Sequence, residues 1–347
     1  FQRRFRDAKR AAPASLTSYL GDIFLAHPWR DPQIPSRVHV SPEGAVDGFI
    51  GVFPSRMRLG TKTVRAGIAG SLMVDQPEKN PFAGARLLHA FCTGPQDISI
   101  SETCNALTQA MWSKLGGQLV LLTSMEWYRV LRPAGTGLRM VTTRLPLALL
   151  LRPFAALADA AVGRVKKNPF RLDTRSSRLA RSEDADEASF ISCAVRLSSE
   201  FEFGPNWNTE VLRWLLRHAE QKGTYGRMVR RLVYSSGPEP IGGYIYYIRP
   251  ASTAWVLQVF SELGRAGPIL DSLLAHALEN GAVAVRGQTH PLLMGDLLSR
   301  GCVLLHRNST MVHSRDAELV NAAQSSRTLM TGLAGETWSR LIGGVFK

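Results

Sequence analysis

The sequence is short of acids. Its 347 residues hold 28 Asp and Glu against 42 Lys and Arg, a formal net charge of +14. Such a surplus suits an anionic partner, whether nucleic acid, an acidic lipid surface or a phosphorylated ligand. A high-arginine proteome would explain it equally well, and charge says nothing about fold. Cysteine is scarce too: Cys92, Cys104, Cys193 and Cys302 stand far apart with no C-x-x-C pair. That argues against a disulfide-stapled module and a cysteine zinc site, and for reduced, buried thiols in a cytoplasmic protein. The histidines are scattered without H-x-x-x-H spacing or neighbouring acids, so no metal is expected. No G-x-S-x-G marks a serine nucleophile. Long apolar runs are also missing. The stretch from Leu145 to Ala158 is broken by Arg152, Pro146 and Pro153, and falls short of the ~20 apolar residues that a span requires. The start, Phe1 to Arg6, leads into polar sequence, which reads against a signal peptide.

What is present is core material. Hydrophobic residues make up 45% and charged residues 20%, enough to exclude a disordered chain. The length suits about two domains. Residues 144–181 carry nine positive and two negative side chains, after which Ser182-Glu183-Asp184-Ala185-Asp186-Glu187 reverses the sign and reads as a helix cap. The expected division is therefore an N-terminal domain over 1–144, a basic helical linker over 145–182, and a C-terminal domain over 183–347. The basic run of Arg164, Lys166, Lys167, Arg171, Arg175, Arg178 and Arg181 beside an apolar helix could rest on an anionic membrane. Docking of that helix on the cores it joins is the simpler reading.

Strand signals open the first half at Arg37–Val40, Val46–Phe53 and Thr63–Val74. Helices follow near Ala83–Phe91 and Cys104–Leu115, with short strands at Asp97–Ser101 and Gln118–Ser124. The second half partly repeats this order. Its strands are expected at Met228–Ser235, Ile241–Ile248 and Thr253–Phe260, before a helix at Gly267–Asn280. The recurrence suggests a tandem duplication. Tyr244 and Tyr246 share a strand face and read as core, with an acceptor cleft as the alternative. The cluster Arg227, Arg230 and Arg231 has no accompanying nucleic-acid-reading motif, which disfavours nucleic acid as partner.

Two junctions in the first half carry chemistry. Val74 leads through Asp75-Gln76-Pro77-Glu78-Lys79-Asn80-Pro81-Phe82 into a helix beginning Ala83-Gly84-Ala85. A helix N-terminus offers unpaired N–H groups to a phosphate, and Lys79 sits where a cation would help; an ordinary strand-to-helix turn explains the spacing as well. Further on, Asn105, Trp112 and Gly116 punctuate a helix that runs straight into a strand.

These residues resemble the GCN5-related N-acetyltransferases (GNAT). In that family the last helix reads Asn, an aromatic seven residues on, and Gly four later, and Asn105, Trp112 and Gly116 match it. The family's acyl-CoA loop is similar to Val74–Gly84, with Pro77 and Lys79 near its Pro and Arg; Asn80 and Phe82 replace glycines. The second half repeats the likeness more faintly, with His290 for the Asn, Leu297 for the aromatic, and Gly301. The resemblance implies an α/β (α+β) fold of two tandem GNAT-like domains, each a mixed, largely antiparallel twisted sheet flanked by helices. It also implies acyl transfer from acetyl-CoA or another acyl-CoA to an amine or hydroxyl, with a small or acidic molecule as acceptor. Met73, Val74, Lys79, Asn80, Phe82, Ala83, Gly84, Ala85 and Asn105 would hold the co-substrate. Glu102 is the first choice of general base, with Glu78 behind it, and Trp112 stands in the place of the family's acid although an indole N–H cannot protonate a thiolate. Leu297 can do even less, so the second domain is expected to be non-catalytic, shaping a cleft or a homodimer surface. The competing reading is a binding scaffold of two worn acyltransferase domains.

Overall fold

A computed structural model describes residues 12–142, 144–165, 168–172 and 180–346. The expectations resting on Phe1 to Arg6, and on Lys166, Lys167, Arg175 and Arg178, lie outside the described residues.

Two compact units are present, and neither is continuous in sequence. Unit 1 begins with α1 (Ala14–Leu25), β1 (Arg37–Val40), β2 (Val46–Leu59), β3 (Lys62–Val74), α2 (Ala83–Cys92), β4 (Ile98–Cys104), α3 (Ala106–Lys114) and β5 (Gln118–Leu119). After Ser124 the chain enters unit 2 with β6 (Met125–Val130), α4 (Pro133–Thr142), α5 (Arg152–Gly163), β7 (Arg181–Asp184) and α6 (Glu187–Ser198). It returns to unit 1 for β8 (Phe203–Pro205) and α7 (Thr209–Ala219). Unit 2 then receives β9 (Arg227–Tyr234), β10 (Pro240–Ile248), β11 (Thr253–Ser261), α8 (Ala266–Glu279), β12 (Ala284–Gln288), α9 (Met294–Ser299) and β13 (Val303–His306). Finally β14 (Ser309–His313) and α10 (Ala317–Ala323) close unit 1.

Each unit is built on a seven-stranded mixed sheet. Unit 1 is ordered β1-β2-β3-β4-β14-β5 with β8 on β2, and unit 2 is ordered β13-β6-β12-β11-β10-β9-β7. In each, one central pair is parallel, β3 with β4 and β11 with β12, and the other pairs are antiparallel. The mixed, largely antiparallel tandem architecture is therefore present.

The boundaries 1–144, 145–182 and 183–347 do not coincide with the compact units. The first half lends one strand to the second sheet, and the second half lends β8 and β14 to the first. β6 pairs antiparallel with β12 and β13 in unit 2, while β14 pairs with β4 and β5 in unit 1. The expected strand at Gln118–Ser124 shrinks to two residues, and β6 takes over directly after it. Its alternation is disguised by Arg129, which is buried on the same face as Trp127 and donates to the carbonyls of Gly301 and Pro169. The linker region lies inside unit 2. Asp186 caps α6 there by accepting from the Ser189 amide at 2.8 Å, as the change of charge sign predicted.

Amphipathic spacing explains how the helices seat. α2 buries Leu87, Leu88, Phe91 and Cys92, one apolar stripe that joins Ile50, Val52 and Trp112 in the unit 1 core. In unit 2, Tyr244 and Tyr246 are fully buried, and their hydroxyls bond Ser272 and His276. They are core residues and not a cleft lining. Arg231, from the basic cluster, is tied to Asp184 and to the Ser182 carbonyl.

Candidate functional site

The parallel pairing of β3 with β4 runs only from Ala66↔Ile98 to Ile68↔Ile100, although β3 continues to Val74 and β4 to Cys104. The strands part because β3 is bulged. Its register against β2 shifts between Phe49 and Gly51, and Ser71 takes a left-handed φ of 60°. A bulge bends its strand and increases the local twist. Between the parted strands lies a cavity of about 140 Å³, lined by Ser71 and Leu72 of β3, Ser101 and Thr103 of β4, Trp112 of α3, and Glu336.

Glu336 comes from the irregular segment after α10 and belongs to no motif of the sequence. Its Oε1 accepts from the Thr103 amide at 3.1 Å and from the Thr103 hydroxyl at 2.6 Å. Its Oε2 lies against Gly70 of β3, where an added Cβ would stand 3.0 Å from it and 2.7 Å from the Phe53 ring. Only glycine admits this approach. Burial, reinforced by the neighbouring Glu102 carboxyl, pushes the Glu336 pKa up to about 7.

Glu102 has a different task. β4 is bulged against β14 at 102–103, and Ser101, Thr103 and Cys104 line the cavity whereas Glu102 does not. It is fully buried, and its carboxylate accepts from the amides of Gly332, Glu336 and Thr337 and from the Thr337 hydroxyl, at 2.7–3.0 Å. Burial raises its pKa and these four donors oppose the rise. Gly335 sits so close that a Cβ would fall 2.1 Å from Glu102 Oε2. Glu102 is thus the anchor of the segment that presents Glu336, not the base. Glu78 is exposed in the loop after β3 and does not line the cavity.

The other predicted residues fall into two groups. Asn105 and Trp112 reach the cavity. Asn105 caps α3 by accepting from the Thr108 amide at 2.9 Å, and Trp112 is buried edge-on against Phe91. Met73 and Val74 end β3, paired with Phe49 and Gly48. Lys79 is exposed, and Asn80 donates to Asp47 Oδ2 at 2.5 Å. Phe82 is 69% exposed, so it does not plug the turn. No side chain caps α2, and the amides of Gly84 and Ala85 find no acceptor among the described residues, whereas that of Ala83 bonds the Asn80 carbonyl. Free amides at a helix start can take an anionic group such as a diphosphate.

The corresponding place in unit 2 is closed. β11 and β12 pair in parallel up to Val256↔Gly287. Beyond that point His290 is buried, and burial pushes its pKa down to about 4. Leu293 and Leu297 are buried in the core beside it. α8, like α2, starts without a side-chain cap; a Cβ on Gly267 would lie 2.9 Å from both Arg300 and Asp296, an ion pair packed against this helix turn. Among the described residues no group of three His, Cys, Asp or Glu stands together as a metal site. No helix among them is long and apolar enough to cross a membrane. All four cysteines are free and buried.

No family model matches the sequence, and no curated protein matches it. Solved structures do. A GCN5-related N-acetyltransferase from Anabaena variabilis superposes with a TM-score of 0.54 at 12% identity, over 91% of this chain and 74% of that one. A conserved protein from Enterococcus faecalis, described as a probable N-acyltransferase, gives 0.52 at 12% identity, over 87% of this chain and 65% of that one. This chain thus spans just under two thirds of the second structure. At such identity the likeness establishes the fold, which is that of the GCN5-related N-acetyltransferases.

Proposed function

We propose that unit 1 transfers an acyl group from an acyl-CoA, acetyl-CoA being the simplest donor, to an amine, with Glu336 as general base. The observation that carries this reading is the Glu336 carboxyl, held near pKa 7 in the cavity where β3 and β4 part. A base poised near neutrality combines a useful ionised fraction with enough basicity to take a proton. Bound acyl-CoA would supply a thioester carbonyl open to attack. The amides of Gly84 and Ala85 with Lys79 would meet its diphosphate, and the β3 edge beyond Ile68 would receive the pantetheine arm. Glu336 takes the proton of the attacking amine. Thr103 keeps the carboxyl aimed, and Glu102 fixes the segment that bears it. Trp112 serves as cavity wall, because CoA thiolate leaves without a proton donor. The surplus of positive charge favours an acidic or phosphorylated acceptor.

Thermal denaturation of the full chain with acetyl-CoA tests the first half of this reading, since a ligand that binds only the folded state raises Tm. Glu336→Gln tests the second. It should keep the acetyl-CoA stabilisation, lose about 10²–10⁴-fold in turnover, and abolish the limb of the kcat/KM profile near pH 7. Absence of any stabilisation by acetyl-CoA would leave a scaffold of two worn acyltransferase domains. Stabilisation with unchanged turnover in the variant would remove Glu336 from the chemistry.

A further inference from the structure

Within unit 2, α4, the 3-10 turn Pro146–Leu151 and α5 form an arm that its own unit leaves uncovered. None of the twelve residues of α5 is buried, although most are apolar. Met140, Leu147, Leu150, Phe154 and Leu157 are 63–82% exposed. A cavity of about 770 Å³ lies under the arm, reaching Leu138, Leu149, Ala156 and Val162 on one side and Leu278 and Val283 on the other. The expected docking of this helix on a core is therefore not what the structure shows. α5 packs on α4, to which Asp159 ties it, and its outward apolar face gains stability only where an apolar phase covers it.

Charge selects that phase. Arg139, Arg144, Arg152 and Arg164 are exposed along the arm, and none forms an ion pair among the described residues. The one acid in the arm, Asp159, accepts from the amides of Ala134 and Gly135 at 2.7 and 2.9 Å and is spent on capping α4. A second copy of the chain would bring two cationic rims together, whereas an anionic bilayer offers hydrocarbon beside negative charge. At ~1.5 Å per residue, α5 extends about 18 Å, too little for a ~30 Å hydrocarbon core. It can lie in the interface but not cross it.

We infer that this arm seats unit 2 on an anionic lipid surface, its exposed leucines and Phe154 entering the acyl boundary and its arginines meeting lipid phosphates. This does not rest on the acyl-transfer reading. The test is flotation of the full chain with vesicles of phosphatidylcholine alone and with about a third phosphatidylglycerol. The triple variant Leu147→Gln, Leu150→Gln, Phe154→Gln keeps every charge, and because these side chains are exposed it should keep its Tm. The wild type should float with anionic vesicles and far less with neutral ones, and the triple variant should bind at least about tenfold more weakly. Equal binding by both proteins would mean that net charge alone holds the chain, and would overturn the inference. So would absence of binding at low salt, or a dimer that the same three substitutions dissolve without any vesicle binding.

Discussion

Units 1 and 2 carry the same parted pair of parallel strands and fill it in opposite ways. In unit 1 the gap beyond Ile68↔Ile100 holds a carboxyl near pKa 7, and the helix after it starts uncapped. In unit 2 the buried His290 lies beyond Val256↔Gly287, and Arg300 and Asp296 pack against the first turn of a helix that also lacks a side-chain cap. A bulge against the neighbouring strand occurs in both, between Phe49 and Gly51 and between Ile245 and Tyr246. The splay is thus a property of the fold. Whether it can work depends on what a distant stretch of chain places inside it. In unit 1 that stretch arrives from residues 332–342, folded over the buried Glu102 carboxyl.

That dependence is where the contrast breaks hardest. Removing Glu102 leaves the amides of Gly332, Glu336 and Thr337 buried without their acceptor. Each orphaned donor costs about 1–3 kcal/mol, so Glu102→Ala should lose about 3 kcal/mol or more. Tm should fall by several degrees, and turnover should fall with it because Glu336 is no longer held. If Glu102→Ala leaves Tm unchanged while turnover falls, Glu102 is chemical after all and its assignment as an anchor is wrong.

Acid should separate the units next. Burial holds His27 and His218 in unit 1 and His276 and His290 in unit 2 at pKa values near 4. A histidine that stays neutral in the fold contributes stability above its unfolded pKa of 6.5, and that contribution is lost as pH falls toward 4. His313 adds a weaker case of the same sign to unit 1. Glu336 acts oppositely: raised to about 7, it keeps its proton in the fold, favouring the folded state at low pH and losing that contribution as pH rises through 7. Glu102 is shifted in the same direction. Between pH 7 and 5 unit 1 thus gains back part of what its histidines lose, and unit 2 does not. Hydrogen exchange, corrected for intrinsic rates, should show protection in β10 and β11 falling more than in β3 and β4. Equal loss in both units would contradict the pKa assigned to Glu336.

Much of this was legible in the residues themselves. Asn105, Trp112 and Gly116 mark a helix that is capped by Asn105 and ended at Gly116 with φ of 84°. The burial of Glu102 is legible too. Ile98, Ile100 and Glu102 stand at period-two spacing, which points to burial of the acid, although β4 is bulged against β14 at 102–103. Glu336 was not legible. It sits more than 230 positions from Thr103 in the sequence, in a segment whose one regular element is a three-residue 3-10 turn, Gly332–Ala334. Periodicity carries no signal there. The exchange of β6 and β14 was hidden for a related reason: pairing across halves leaves no local trace, and a buried arginine spoiled the alternation of β6.

A smaller effect is expected at the loop before α2. Asn80 donates to Asp47, so Asn80→Asp loses that bond and sets a new negative charge beside the uncapped helix start. A charge at that distance in partly screened surroundings is worth about 1 kcal/mol, or roughly fivefold in acetyl-CoA affinity, with kcat at saturation unchanged. Equivalent charge placed in unit 2 by Gly264→Asp should leave the affinity alone. If both substitutions weaken binding alike, the comparison between the units fails, because the two helix starts would be equally open.

The smallest effect should be at Trp112. If the indole is only wall, Trp112→Phe preserves an aromatic face against Phe91 and removes just the N–H. Stability should fall by about 1 kcal/mol through the lost volume, while kcat changes less than about threefold, since a single weak donor to a leaving thiolate contributes little when the thiolate departs unaided. The same logic covers Leu297, which occupies the corresponding place in unit 2 and is fully buried. A hundredfold loss in kcat with Tm intact would show that the indole N–H acts on the leaving group. The chemistry of unit 1 would then depend on both Glu336 and Trp112, and the difference between the two units would lie in their aromatic position as much as in their carboxylate.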